Sequence, residues 1–381
     1  MNTLSSVQSR RWLASLLGAI AFGLAVGAHA QINPKVMPAS GAMSKQAMSR
    51  LMLTDIVRSG NRIVAVGDRG YVVYSDSNGE TWSRAKTPAG VPLLTSVQFS
   101  SGDTLWATGH DSTILKSVNN GQEWTQAYAS EKDKRPLMDV LFIDANVGYA
   151  VGAYGAFYET TDGGKTWAAR KAISSPSKPP ARKAGKARAE SFEDEPEKTD
   201  EDRHLNSIIK LSDGRLLIVG EAGTMMVSAD AGKSWSRLNS PYKGSFFGAV
   251  QANNGAVIVY GLRGNVYRST DGMRSWSQLA LGTKASFMGS TKLADGAIVL
   301  AGLSGTLLIS RDNGQSFTVL NSGTIKPLSG AVFGGSNDIL VIGETGPRTV
   351  LLSASSTAAA SGAATAPAAT PANPPSKTAK P

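Results

Sequence analysis

Ser75-Asp76-Ser77-Asn78-Gly79-Glu80-Thr81-Trp82 is the stretch on which the reading of the fold turns, because it returns along the chain. It recurs as Ser117 to Trp124 (SVNNGQEW), Thr160 to Trp167 (TTDGGKTW), Ser228 to Trp235 (SADAGKSW), Ser269 to Trp276 (STDGMRSW) and Ser310 to Phe317 (SRDNGQSF). The closing aromatics at 82, 124, 167, 235, 276 and 317 are spaced by 42, 43, 68, 41 and 41 residues, a repeat with one insertion.

A second feature fixes the number of units. Each copy follows a short apolar run that ends in Gly-x-x-Gly or a near match. These runs are Ile63 to Gly67, Leu105 to Gly109, Gly148 to Gly152, Leu216 to Gly220, Val257 to Gly261, Ile298 to Gly302 and Ile339 to Gly343, which makes seven units. Each unit reads as strand, turn, strand, Gly-rich turn, strand, Asp-turn and a last strand opening on the aromatic. The predicted fold is all-β: a seven-bladed β-propeller of four-stranded antiparallel blades. The turn motif has a mechanical reading, since Asp or Asn caps the amides of its own turn and Gly supplies a positive φ. Drift at Asn119, Met273 and Phe317 suits a structural turn.

These repeats resemble the bacterial neuraminidase (BNR) or Asp-box repeats, a member of the wider class of WD40/YVTN-like propeller repeats. The run Gly67 to Trp82 (GDRGYVVYSDSNGETW) is similar to the photosystem II assembly and stability factor family. The resemblance spans Leu51 to about Ser353. It implies a propeller that is not an enzyme and holds a protein partner through a basic patch, matched here to Arg69 and Arg263. Asp-box propellers also include sialidases and other glycosidases, so the resemblance fixes fold more tightly than function.

The chain opens with Arg10 and Arg11, an apolar stretch from Trp12 to Val26 and Ala28-His29-Ala30, which reads as a cleavable export signal cut after Ala30. A periplasmic or secreted protein is expected, not membrane-spanning after signal removal, with the export route left open. Its 381 residues contain no cysteine, which excludes disulfides and thiolate metal sites. The formal charge of +10 becomes +8 without Arg10 and Arg11. An exported protein of that charge is expected to meet anionic lipid, polysaccharide or an acidic protein face rather than nucleic acid.

Residues 31–353 form the expected propeller domain. The seventh unit lacks an Asp-turn and a last strand, so part of residues 32–50 is expected to pair with the blade of Leu328 to Ser353 and close the ring. Residues 171–203 are a charged insert; from Arg170 to Arg203 nine basic and eight acidic residues nearly cancel, predicting a mobile loop. Residues 354–381 are rich in Ala and Pro and predict a disordered tail.

In such blades the Gly-rich turns share one face with the connections into the next blade. The expected binding face therefore carries Arg69, His110, Tyr154, His204, Glu221, Tyr242, Phe246, Phe247, Arg263 and Glu344. The expected function is an exported, monomeric, non-catalytic scaffold or assembly factor for an envelope membrane protein, with no cofactor. The alternative is a sialidase-like glycoside hydrolase working in the channel mouth, with Asp68, Asp111, Glu221 and Glu344 as the available carboxylates. The sialidase set of three arginines with a Tyr–Glu pair has no counterpart, and three unpaired histidines make no metal site.

Overall fold

The computed structural model describes residues 41–171, 202–335 and 337–352. Seven antiparallel sheets hold their strands in sequence order, apart from an N-terminal strand added to the first. Blade one comprises Leu53–Ser59, Arg62–Gly67, Val72–Ser75 and Trp82–Arg84. The first strand of every blade is innermost, and each touches the first strands of its two neighbours, so seven inner strands surround a central channel. The insert at 171–203 and the tail at 354–381 lie almost wholly outside the described residues.

The second strand of each blade is buried along its length, as in Ile63-Val64-Ala65-Val66, because sheets pack against it on both faces. One apolar cluster fills each of the seven blade interfaces. The motif aromatics enter six of them: Trp82 packs with Leu340 and Val332 of blade seven, and Trp167 meets Trp106 edge-on at 5.9 Å. The cluster between blades six and seven is the exception, with aliphatic side chains and the half-buried Phe333 only.

The Asp-turns hold themselves by one scheme. The leading hydroxyl accepts the amide four residues on, as from Gly79, Gly164 and Gly314 at 2.8–3.0 Å. The Asp two residues after it accepts the amide and hydroxyl of the residue six places after the leading one, as in Asp162 with Thr166. Those bonds lower the Asp162 carboxyl to about 2. In the first copy Ser77 takes the Asp position, bonding Thr81, while Asp76 instead pairs with Arg62 at 2.7 Å.

Ring closure differs from expectation. Among the described residues the N-terminal strand Gly41–Met43 pairs with Trp82–Arg84, extending blade one to five strands. Blade seven keeps three strands, Leu328–Phe333, Asp338–Gly343 and Arg348–Leu351. The N-terminal segment contributes instead from the rim inward: Met48 is buried in the core between blades seven and one, and its carbonyl lies against Gly346. The inner strands finish the closure, with Ser329 Oγ donating to the Leu53 carbonyl at 2.7 Å and the Arg58 guanidinium to the Phe333 carbonyl at 2.7 Å.

The second glycine of the Gly-rich turn, present in every blade but the second, lies at positive φ beneath the chain that leads into the neighbouring blade. A Cβ on Gly264 (φ +73°) would stand 2.2 Å from the Thr283 carbonyl, whereas one on Gly255 (φ +84°) in the same blade would meet nothing within 4 Å. Both alanine variants strain the backbone, but only Gly264→Ala also drives main chain into main chain. Gly264→Ala is expected to lower unfolding free energy in urea by about 1–3 kcal/mol more than Gly255→Ala. Equal losses would show that the approach of the connection is not what demands glycine.

Candidate functional site: the Gly-rich-turn face and the channel

Every blade docks its Gly-rich turn on the lead-in to its own inner strand. The first glycine is extended and would, with a Cβ, collide with the carbonyl just before that strand: Met52 for Gly67 at 2.1 Å, His204 for Gly220 at 2.1 Å, Pro327 for Gly343 at 2.0 Å. The same carbonyl accepts the next amide, from Asp68, Glu221 and Glu344 respectively. All seven blades repeat this bond, including His110 to Leu93, Ala153 to Pro136, Leu262 to Ser245 and Leu303 to Ser286.

The turn then passes through a left-handed residue before the second glycine. Arg69, Tyr154, Ala222, Arg263 and Ser304 occupy that position at φ 51–58°. Their conformation is set by the backbone frame, and Arg69, Tyr154, Arg263 and Ser304 are exposed. In blade two Ser112 replaces the second glycine; its hydroxyl donates to the Asp133 carbonyl at 2.6 Å under Arg135.

The expected site residues separate into groups. Tyr154 lies edge-on to the His204 ring at 4.9 Å, and the Arg135 guanidinium donates to the Tyr154 carbonyl at 2.9 Å. His204 is buried, and the Glu221 carboxylate accepts its backbone amide at 3.2 Å. Asp133 chelates Arg135 at 2.6–2.7 Å and accepts from Tyr158, which holds its carboxyl down at about 2. His110 is half-buried, and burial lowers its pKa against the opposing pull of Asp111.

Tyr242 joins Phe246 and Tyr267 in the core between blades four and five, with Phe246 fully buried, so Phe246 is not part of an exposed face. A bulge between Phe246 and Gly248 sends the adjacent Phe247 into the channel. The structure does not bring Phe247 and Tyr242 to one surface. Arg69 reaches Asp68 at 3.4 Å, and Glu344 pairs with Lys326 at 3.0 Å.

Arg263 belongs to an arc of exposed cations. Gly264 packs against the Lys284 backbone, and Lys243 follows Tyr242 where that connection crosses the blade-four turn. Lys243, Arg263 and Lys284 make no ion pair among the described residues.

The channel holds what the sequence did not point out. A bulge one residue into every inner strand turns the following side chain inward. The residues after the bulges are Asp55, Ser96, Asp139 and Ser207 in blades one to four, then Gly248, Gly289 and Gly330. Asp55 accepts the amides of Ile56 and, across the blade gap, Val97, both at 2.8 Å. Asp139 accepts those of Val140 and Ile208 and the Ser96 hydroxyl, at 2.8–2.9 Å. Reading the residue two places after each inner strand's first apolar position down the seven units would have found this Asp-Ser-Asp-Ser row.

Both carboxylates border a cavity of about 240 Å³ and keep a partial opening to it. Burial raises Asp55 to about 7, opposed by the Val97 amide and reinforced by the charge of Asp139. Asp139 is also raised, chiefly by burial. Tyr260, whose hydroxyl lies where a Gly248 side chain would stand, is raised by burial as well. None of Asp68, Asp111, Glu221 and Glu344 borders this cavity.

The Asp55 shift fixes a pH dependence. An unfolded Asp titrates near 3.9, so the folded state binds this proton more tightly. Its stabilising contribution is complete below about pH 4 and lost as pH rises through about 7. The urea midpoint is therefore expected to fall between pH 5.5 and 8.5, and to fall less in Asp55→Asn; identical slopes in the two proteins would contradict the assignment.

The family described as Photosynthesis system II assembly factor YCF48 matches residues 117–299. No curated protein matches the chain. Among solved structures, one titled "YCF48 bound to D1 peptide" is similar with a TM-score of 0.62 at 16% identity, covering 83% of this chain and 98% of that one. YCF48 from Cyanidioschyzon merolae is similar with a TM-score of 0.59 at 18% identity, covering 82% and 98%. The GH74 xyloglucanase from Xanthomonas campestris also shares the fold, with a TM-score of 0.59 at 12% identity over 83% of this chain and 54% of its own. The chain is a seven-bladed Asp-box propeller that resembles the YCF48 photosystem II assembly factor family.

Proposed function

We propose that this protein is an exported, non-catalytic docking propeller that holds an anionic segment of a protein partner, an envelope membrane protein, on its Gly-rich-turn face. The observation that carries the reading is the arc of Lys243, Arg263 and Lys284, exposed without ion pairs on turns whose backbone is fixed by glycine contacts. A rigid backbone leaves only the side chains to be ordered on binding, and unpaired cations attract an acidic surface over a Debye length of about 8 Å at physiological salt. Tyr154, 54% exposed at the end of the Arg135–His204 packing, adds an aromatic anchor on the same face.

Residues 1–40 lie outside the described residues, so export rests on the sequence of the signal. The similar structure that carries a D1 peptide supports a peptide or protein ligand. Catalysis is disfavoured by the placement of the carboxylates. Glu221 and Glu344 are engaged by the His204 amide and by Lys326, and the channel pair is held to backbone amides. The central cavity, at about 240 Å³, is also below the range of about 300–1,000 Å³ usual for drug-sized ligands and is small for an oligosaccharide.

A photo-crosslinker at Ser304, exposed at the left-handed position of the blade-six turn, tests the reading in cells. One dominant envelope protein is expected, with its yield cut at least about tenfold by Arg263→Glu with Lys284→Glu. Undiminished capture of the same protein by the doubly reversed variant would overturn the assignment of the face.

A further inference from the structure

The lining of the central cavity changes around the ring. Blades one to four bring Asp55, Ser96, Asp139 and Ser207, with Met138 next to Asp139; blades five and six bring Phe247 and Met288, with Tyr260 and Ser290. The change arises because the positions after the bulges in blades five to seven are glycines. Those glycines leave no spare room: the Tyr260 hydroxyl, the Ser329 carbonyl and the Ile56 and Ile342 side chains occupy the space beside them. The cavity thus joins two carboxylates, an aromatic ring and a thioether in one lining.

Among the described residues no Lys, Arg or His borders it. Two carboxylates enclosed by protein without a cation are unusual, since buried charge is normally paired. Backbone amides of the adjoining blades fix their positions, yet each stays partly open to the cavity. A ligand entering here exchanges like-charge repulsion for attraction, and its hydrocarbon part meets Phe247 and Met288. The volume, about 240 Å³, suits one amino-acid side chain or a small amine rather than a nucleotide or an oligosaccharide.

We propose that the channel is a binding site for an organic cation, a primary ammonium or guanidinium group on a short apolar arm, seated between Asp55 and Asp139 with its arm against Phe247 and Met288. The same chemistry is offered by a free small amine or by a Lys or Arg side chain of a docked protein. This site is independent of the cationic arc on the outer face, and it survives if that arc binds nothing.

Calorimetric titration of the mature chain with agmatine, with a blocked tripeptide carrying one central lysine, and with n-butanol as the neutral control tests it. Agmatine is expected to bind and butanol not. Binding of the tripeptide as well points to a partner's side chain, whereas binding of agmatine alone points to a free amine. Asp139→Asn is expected to weaken agmatine at least about tenfold. Phe247→Ala, which removes a half-buried ring and spares the backbone clamps, is expected to weaken it by about threefold or more. No binding of either cation to the folded wild-type chain, equal binding of butanol, or undiminished affinity in a folded Asp139→Asn or Phe247→Ala protein would overturn the proposal.

Discussion

A single contact, made seven times, sets the geometry of this propeller: the carbonyl before each inner strand accepts the amide that follows the first glycine of the Gly-rich turn. Main chain comes so close there that a Cβ would stand 2.0–2.4 Å from the carbonyl oxygen. The bond ties the second hairpin of a blade to the start of its first strand. It also fixes the bulge that follows, because the first residue of each inner strand pairs with that glycine and the next pair is shifted by one. Channel lining and turn orientation are two results of the same constraint.

The two faces consequently do different work. On the Asp-turn face nearly every polar side chain of the motif is spent on its own turn, and the aromatics pack between blades, Trp82, Trp124 and Trp167 buried and Trp235, Trp276 and Phe317 half-buried. On the other face the backbone closes its own hydrogen bonds, which frees the side chains at the left-handed position to vary as Arg, Tyr, Ala, Arg and Ser. A fixed frame with variable projections is what a recognition surface needs, since the frame bears the ordering cost before a partner arrives.

Seven units, their strand order and the buried second strands were all legible in the sequence, because glycine contacts and aromatic packing leave periodic residues behind. The position of the N-terminal strand was not. Gly41–Met43 has no apolar pattern of its own, and the choice between the open edge of blade seven and the rim of blade one depends on the path through Met48. Phe246 and Phe247 look like one aromatic pair until a bulge sends them to opposite sides. Asp55 and Asp139 carry no motif of their own, and only the closure of seven strands into a ring brings them to one cavity. The first Asp-turn hides a similar exchange, with Ser77 in the capping role and Asp76 turned to Arg62.

The central claim is that partners are held on the Gly-rich-turn face, and amide hydrogen exchange of the mature chain with and without its crosslink-identified partner tests it most directly. The account predicts slowed exchange in the turns around Ala222, Arg263 and Ser304 and in the connections 240–245 and 281–286, with the Asp-turns at 162–166, 230–234 and 271–275 unchanged. Protection confined to those Asp-turns would contradict it.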